Sequence, residues 1–378
     1  MALLHATAFL RLCVPPPHHE GRELLSRQGR YKLAAHSGLL SIAILLGATV
    51  GCSSNPLQSA PRTIEPARAA VSPPVSQPPA GAVRPLSAHA AAAVFDGGTH
   101  QLAVLAPGAD PAAPASVTVF GDPQAPPRVV ELPGPATALT DDGHGTVFLA
   151  ARGGYFVVDL ATGHATRVGV AEAPQTEFTA VAQRADGKLV LGSADGAVYT
   201  LASPTPGTVT GASVATRNKI FARVDWLAAQ GNTTVVLDRG QTSVTTIDAD
   251  GHVQQALRAG GGATTMAADA LGRVLVADTR GGQLLVYGVD PLILRQAYPV
   301  PQTPYGLAAS RALAWVSATL SNIVIGYDLS TGIPVEKVRY PTVQQPNSLA
   351  FDEASDTLYV VSGSGSGVQV IDHAAGNP

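Results

Sequence analysis

Charge is scarce in this chain. Only 13% of its 378 residues are Asp, Glu, Lys or Arg, and the net charge is −3. Without a basic surplus to neutralise phosphates, no nucleic-acid partner is expected. Two cysteines, Cys13 and Cys52, cannot form a disulfide framework. There is no H-x-x-x-H or C-x-x-C pair, so the common zinc-binding spacings are missing. The apolar run at 39–50 (LLSIAILLGATV) is too short to span a bilayer comfortably. What the chain has in quantity is turn formers, with 39 Gly and 30 Pro. That mix fits an all-β body better than a helical one.

The N-terminal region reads as an export signal. Residues 1–24 have no periodicity and contain Pro15-Pro16-Pro17-His18-His19. They fit either a start codon placed too early or a long n-region. Arg27, Arg30 and Lys32 then precede the apolar run, which ends Thr49-Val50-Gly51-Cys52. A basic stretch followed by about a dozen apolar residues is the layout of a signal peptide. Residues 52–81 follow, rich in Pro, Ala and Ser, with Pro73-Pro74 and Pro78-Pro79. Lacking apolar periodicity, this stretch cannot bury a core and is expected to be a disordered, semi-extended tether.

From residue 82 to 378 the chain repeats itself. One apolar strand recurs at Leu102, Val147, Leu189, Val235, Val274, Ala314 and Leu358, at intervals of 39 to 46 residues. A second strand follows each of these across a turn such as Arg152-Gly153-Gly154, Ala194-Asp195-Gly196 or Arg280-Gly281-Gly282. A shorter apolar segment precedes each pair, and a less regular strand comes after it. Four short antiparallel strands at this period describe a propeller blade. Seven copies predict a seven-bladed β-propeller. The last copy stops near Asp372 after three strands, so residues 82–87 (AVRPLS) are expected to supply the fourth and close the ring.

Two resemblances rest on these residues. Thr49 to Cys52 resembles a bacterial lipobox, with Thr49 where leucine is usual. That resemblance implies cleavage after Gly51 and acylation (palmitate among the chains) of Cys52. It further implies anchoring of the body to the extracytoplasmic face of the cell membrane. The forms Pro304 to Ala308 (PYGLA) and Leu358 to Val361 (LYVV) resemble the YVTN/NHL-type, WD40-like bacterial propellers. Longer segments, among them KLVLGSADGAVYTLA and VRYPTVQQPNSLAFDEASDTLYVVSGSGSGVQVID, resemble mycobacterial envelope lipoproteins with a propeller body. These resemblances carry no catalytic residue across.

Chemistry has to be argued from sites, because a propeller can host many functions. His89, His100, His144, His164, His252 and His373 are scattered, several beside Gly-containing turns, and read as exposed turn residues. Lactonase-type propellers hold a divalent metal on the axis. Here the equivalent innermost positions are Ala138, Ala180, Asp225, Thr265, Gly306 and Ser348. Asp225 is the single acid among them, too little for a hard-cation cage. Asn347, one residue from Ser348, is expected to face away. Trp226 and Trp315 are too few for tryptophan-docking repeats and read as core. Gly260-Gly261-Gly262 and the 363–367 run lack the Lys-Ser/Thr of a phosphate loop and read as turns.

Two candidate surfaces remain. Arg223 and Asp225 would share one face of an inner strand, against the channel, with Trp226 pointing away. They form either a local ion pair or the edge of a ligand site. The second surface is one rim, where the turns between second and third strands meet the blade-to-blade connections. Arg152, Asp195, Asp238, Arg239, Asp278, Arg280, Tyr305, Gln344, Gln345 and Asn347 are expected there. Mixed charge with Tyr and Gln suits protein or glycan recognition. The reading is a monomeric binding or scaffolding lipoprotein without cofactor, metal or catalytic residues. A hydrolase or lactonase working near Asp225 is the alternative.

Overall fold

The alternating apolar segments form seven antiparallel sheets of four strands each. The computed structural model describes residues 61–86, 88–203 and 211–376. The signal region, Cys52 and the first part of the tether lie outside them. Six blades are contiguous in sequence, at 92–131, 138–169, 178–219, 226–258, 263–299 and 304–341. In each, the strands run in order from the inner, channel-lining strand to the outer one.

The seventh blade is composite. Pro346–Asp352, Thr357–Ser362 and Val368–Ile371 are its first three strands, and Ala82–Arg84 pairs antiparallel with Val368–Ile371 as the fourth. Ring closure therefore falls where the sequence places it. Gly81 makes the approach possible: it has φ 68°, and a Cβ there would lie 2.1 Å from the Val370 carbonyl oxygen. Arg84 then clasps blade 1. Its guanidinium donates to the carbonyls of Gly121, Asp122 and Ala125 and lies over the Phe120 ring at 5.0 Å.

The core is divided the way the blades are. Seven apolar clusters form, one at each interface between neighbouring blades. The cluster joining blade 7 to blade 1 contains Leu102, Val104, Phe120, Val361 and Val368, with Leu86 from the segment after the closing strand. Each blade thus buries both faces and none of the sheets is left half-covered. Hydroxyls reinforce the seams. Thr137 donates to the Phe178 carbonyl, Thr179 to Val224, Thr279 to Pro304 and Ser317 to Pro346, each crossing to the next blade. Trp315 is fully buried, as its apolar strand predicts, and stacks on Phe351 at 5.8 Å.

Inner strands are rich in Ala because seven of them must converge on one axis. Together they enclose a channel of about 420 Å³.

Candidate functional site

All six equivalent positions read from the repeats, Ala138, Ala180, Asp225, Thr265, Gly306 and Ser348, line this channel. The local geometry near them differs from strict alternation. The register of the blade 7 inner strand shifts between Pro346 and Ser348, so Asn347 sits in a bulge and lines the channel beside Ser348. A bulge adds one unpaired residue and re-aims its side chain. Blades 3, 5 and 6 shift at the same level. Single-strand periodicity cannot show such a shift.

Arg223 and Asp225 also depart from the expected placement. The blade 4 inner strand begins at Trp226, so both lie in the connection before it. Trp226 is half-buried and lines the channel as well as packing on the core. Arg223 and Asp225 form an ion pair with Nε and Oδ1 3.2 Å apart, and the other oxygen, Oδ2, accepts from the Arg239 amide at 2.9 Å. Both carboxylate oxygens are thus engaged. Asp141, the other acid lining the channel, stands at the far end of its strand. Burial, and less so the charge of Asp96, pushes the Asp141 carboxyl up to about 6. Asp96 itself is buried, yet hydrogen bonds from Gly145 and Thr99 outweigh that burial and hold it below the usual carboxylate range.

The ten rim residues separate into groups. Asp238 and Asp278 point inward. Asp238 is 0% exposed and accepts from the amides of Ala222, Arg223 and Gln241. Burial raises its pKa. Asp278 is 1% exposed and accepts from the amides of Gly261, Gly262 and Gly281 at 2.8 to 3.0 Å. A Cβ at Gly260 or Gly281 would fall 1.9 Å from its carboxylate. The 260–262 glycine run is therefore an anion-binding nest, as turns of this kind often are, but the anion is the chain's own aspartate. Sequence reasoning put both aspartates among the ligand-facing groups; their burial and saturated hydrogen bonding make them struts of the rim.

Arg152 and Asp195 are exposed and lie on blades 2 and 3. Arg152 reaches the Gln175 carbonyl, and Asp195 pairs with Lys219 at 2.8 Å. The hydrogen bond from Lys219, then that from Ser193, lowers the Asp195 pKa. Tyr305 is half-buried, and burial raises its phenol against the opposing charge of Arg239.

The remaining rim residues share one task. Arg239 donates to the Ala67 carbonyl, Arg280 to Glu65 at 2.6 Å, Gln344 to Ser72 at 3.1 Å and Gln345 to Ala70 at 3.0 Å. Gln345 Nε2 also donates to the Asn347 side-chain oxygen at 2.9 Å. Asn322, which the sequence did not single out, donates to the Pro73 carbonyl at 2.8 Å. Residues 61–73, expected to hang away from the body, instead run along the rim from blade 4 to blade 7. They contain no strand or helix. Ala67 and Ser72 are buried at 6% and 4% exposure, and Ser72 donates to the Thr319 carbonyl. The next residues, 73–78, are exposed, and Ala80 rejoins the ring through Pro341 and Gln369.

One potential cation-binding trio occurs among the described residues: Asp248, Asp250 and His252, on the turn between the third and outer strands of blade 4. Asp248 already accepts from the amides of Asp250 and His252 and from Gln254, and these contacts lower its pKa. The trio is an Asp-capped turn of the type that also uses Asp159 and Asp328.

No family model matches the chain, and a comparison with curated proteins finds no match. Solved structures do match. A chain of a mitotic checkpoint complex is similar with TM-score 0.61 and 10% identity, covering 82% of this chain and 95% of that one. A chain of Kuenenia stuttgartiensis hydrazine synthase is similar with TM-score 0.60 and 12% identity, covering 76% and 96%. In all, 1276 solved chains match, so the shape alone names no activity. At these identities the comparisons establish a seven-bladed β-propeller fold.

Proposed function

We propose that the chain is a membrane-tethered lipoprotein of the mycobacterial envelope, with its propeller on the extracytoplasmic face acting as a binding or scaffolding module. The observation that carries the binding half is the rim itself. Arg239, Arg280 and Asn322 come from blades 4, 5 and 6, Gln344 and Gln345 from the connection into blade 7, and all donate to carbonyls of one extended polypeptide segment. A row of donors that grips main chain is suited to holding a protein partner. The fold agrees, since one similar propeller belongs to a protein assembly. Asp225, the residue a channel hydrolase would use, already spends both oxygens on Arg223 and the Arg239 amide.

The anchoring half rests on the lipobox-like Thr49 to Cys52 and the basic, apolar stretch before it. Stable membrane attachment takes more than one acyl chain, which a multiply acylated Cys52 supplies. Two experiments test the reading. Cys52→Ala is expected to move the protein out of the membrane fraction; retention there would refute the anchor. In-cell crosslinking from positions on the rim is expected to recover a defined envelope protein, and recovery of none would refute the module.

A further inference from the structure

We propose that the rim groove spanning blades 4 to 6 and the start of blade 7 is a binding site for extended, proline-rich polypeptide, held in cis by residues 64–73 and open to exchange with a partner segment of the same chemistry. This rests on the binding-module reading above and adds the class of ligand.

The argument starts from what the groove reads. Five rim side chains donate to strap carbonyls, those of Glu65, Ala67, Ala70, Ser72 and Pro73. Carbonyls are common to every residue, so this readout is tolerant of sequence. The strap's own amides contribute little: Ile64 donates to the Gly240 carbonyl and Ser72 to Gln345 Oε1. A segment whose amides are little used is one in which proline can stand at most positions. Pro66 and Pro73 do so here, beside Pro61 and Pro74. Proline-rich chain is already extended when unbound, so it loses little entropy on docking.

Side-chain selection is confined to two places. Ala67 lies against Gly262 and Arg280, where a Gly262 Cβ would come 3.0 Å from the Ala67 Cβ. Ser72 is buried, with its hydroxyl on the Thr319 carbonyl. Ile64, Val71 and Val75, the apolar residues that would drive a permanent packing interaction, are all exposed. The groove thus demands a small residue at two positions five apart and admits wide variation between them.

The cis occupant also leaves the groove incompletely satisfied. Arg239 Nε is buried with no hydrogen-bond partner among the described residues, although its Nη2 is bound to Ala67. A buried unpaired donor costs on the order of 1–3 kcal/mol. A ligand with an acceptor in reach of that nitrogen gains what the strap forgoes. What favours the strap is connection. Eight residues, 74–81, join it to the closing strand, and a short linker of this kind gives an effective concentration on the order of millimolar.

The test separates the segment from the ring while keeping the full chain. A site-specific protease sequence is placed at 76–77, in the exposed stretch, and the protein is cut. The probe is a fluorescent synthetic peptide of residues 61–76 (PRTIEPARAAVSPPVS). Cut protein is expected to bind it saturably, and uncut protein at least about tenfold more weakly because its own copy competes. Arg239→Ala with Gln345→Ala is expected to weaken binding by at least about tenfold at unchanged Tm. If that variant does not fold, a peptide carrying Ser72→Trp probes the same groove from the other side and is expected to lose binding. Failure of cut, folded protein to take up the peptide, or equal binding of a peptide carrying both Ala67→Trp and Ser72→Trp, overturns the proposal. Those results would leave partner capture at the envelope unaffected, so the two readings fail separately.

Discussion

Two neighbouring pieces of one N-terminal segment dock on the same ring by different means. Residues 82–84 join blade 7 through a main-chain ladder, with Gly81 pressed against Val370, Leu86 buried between blades and Arg84 clasping blade 1. Residues 61–73 lie on the rim through side-chain donors to their carbonyls, with two small buried side chains. The first piece completes a sheet and removes an edge; without it the ring has an unpaired strand. The second completes nothing in the ring. Permanence and exchange are thus written in the kind of contact, not in its number.

The largest effect should come from breaking the closing strand. Gly81→Val places a branched side chain where even a Cβ meets the Val370 carbonyl at 2.1 Å, at a φ that valine resists. Loss of several kcal/mol, roughly 3 or more, is expected by chemical denaturation. A change under about 1 kcal/mol would show that the ring does not depend on this strand.

Asp278→Ala comes next. It strands the amides of Gly261, Gly262 and Gly281; Gly262 is the buried one, and a stranded buried donor costs about 1–3 kcal/mol. A melting experiment checks this. A negligible change would erase the distinction between the rim's inward struts and its outward donors.

Asp141 offers a control at the far end of the channel. Its folded pKa, pushed up to about 6, lies above the model-peptide value. The native state therefore binds more protons between about pH 4 and 6, and stability falls as pH rises through that window. Asp141→Asn is expected to gain about 1–2 kcal/mol at pH 7 and nothing at pH 4. Equal effects at both pH values would contradict the assignment, and cutting the strap should leave the difference unchanged.

The smallest expected effect on global stability is from Arg239→Ala with Gln345→Ala, under about 1 kcal/mol. Limited proteolysis should still cut 61–79 at least about tenfold faster in that variant. A large drop in global stability would mean the strap is part of the ring after all.

Much of the architecture was legible. The repeat of apolar segments gives every blade, and the shortfall after Asp372 gives the closure, because a sheet's period of two and a blade's period near 40 are both written in the apolar pattern. Less of the rim could be read. Asp238 and Asp278 look like surface charges in sequence; only the folded turn shows that the amides around them converge inward. Asn347 faces the channel because of a bulge that leaves no compositional mark. Most of all, residues 61–73 have no apolar periodicity, and a segment held by its carbonyls needs none. Hydrogen bonds to main chain are independent of side-chain type, so nothing in that stretch could announce them.

Hydrogen exchange followed by mass spectrometry tests the distinction most directly. Peptides covering 61–73 and 80–86 are compared in the same folded sample. The account predicts that the hydrogen-bonded amides of Ile64 and Ser72 exchange at least about a hundredfold faster, through local opening, than the ladder amides of 82–84, which exchange only with the ring. Equal protection of these two sets of amides would contradict it and make the strap as permanent as the strand that closes the propeller.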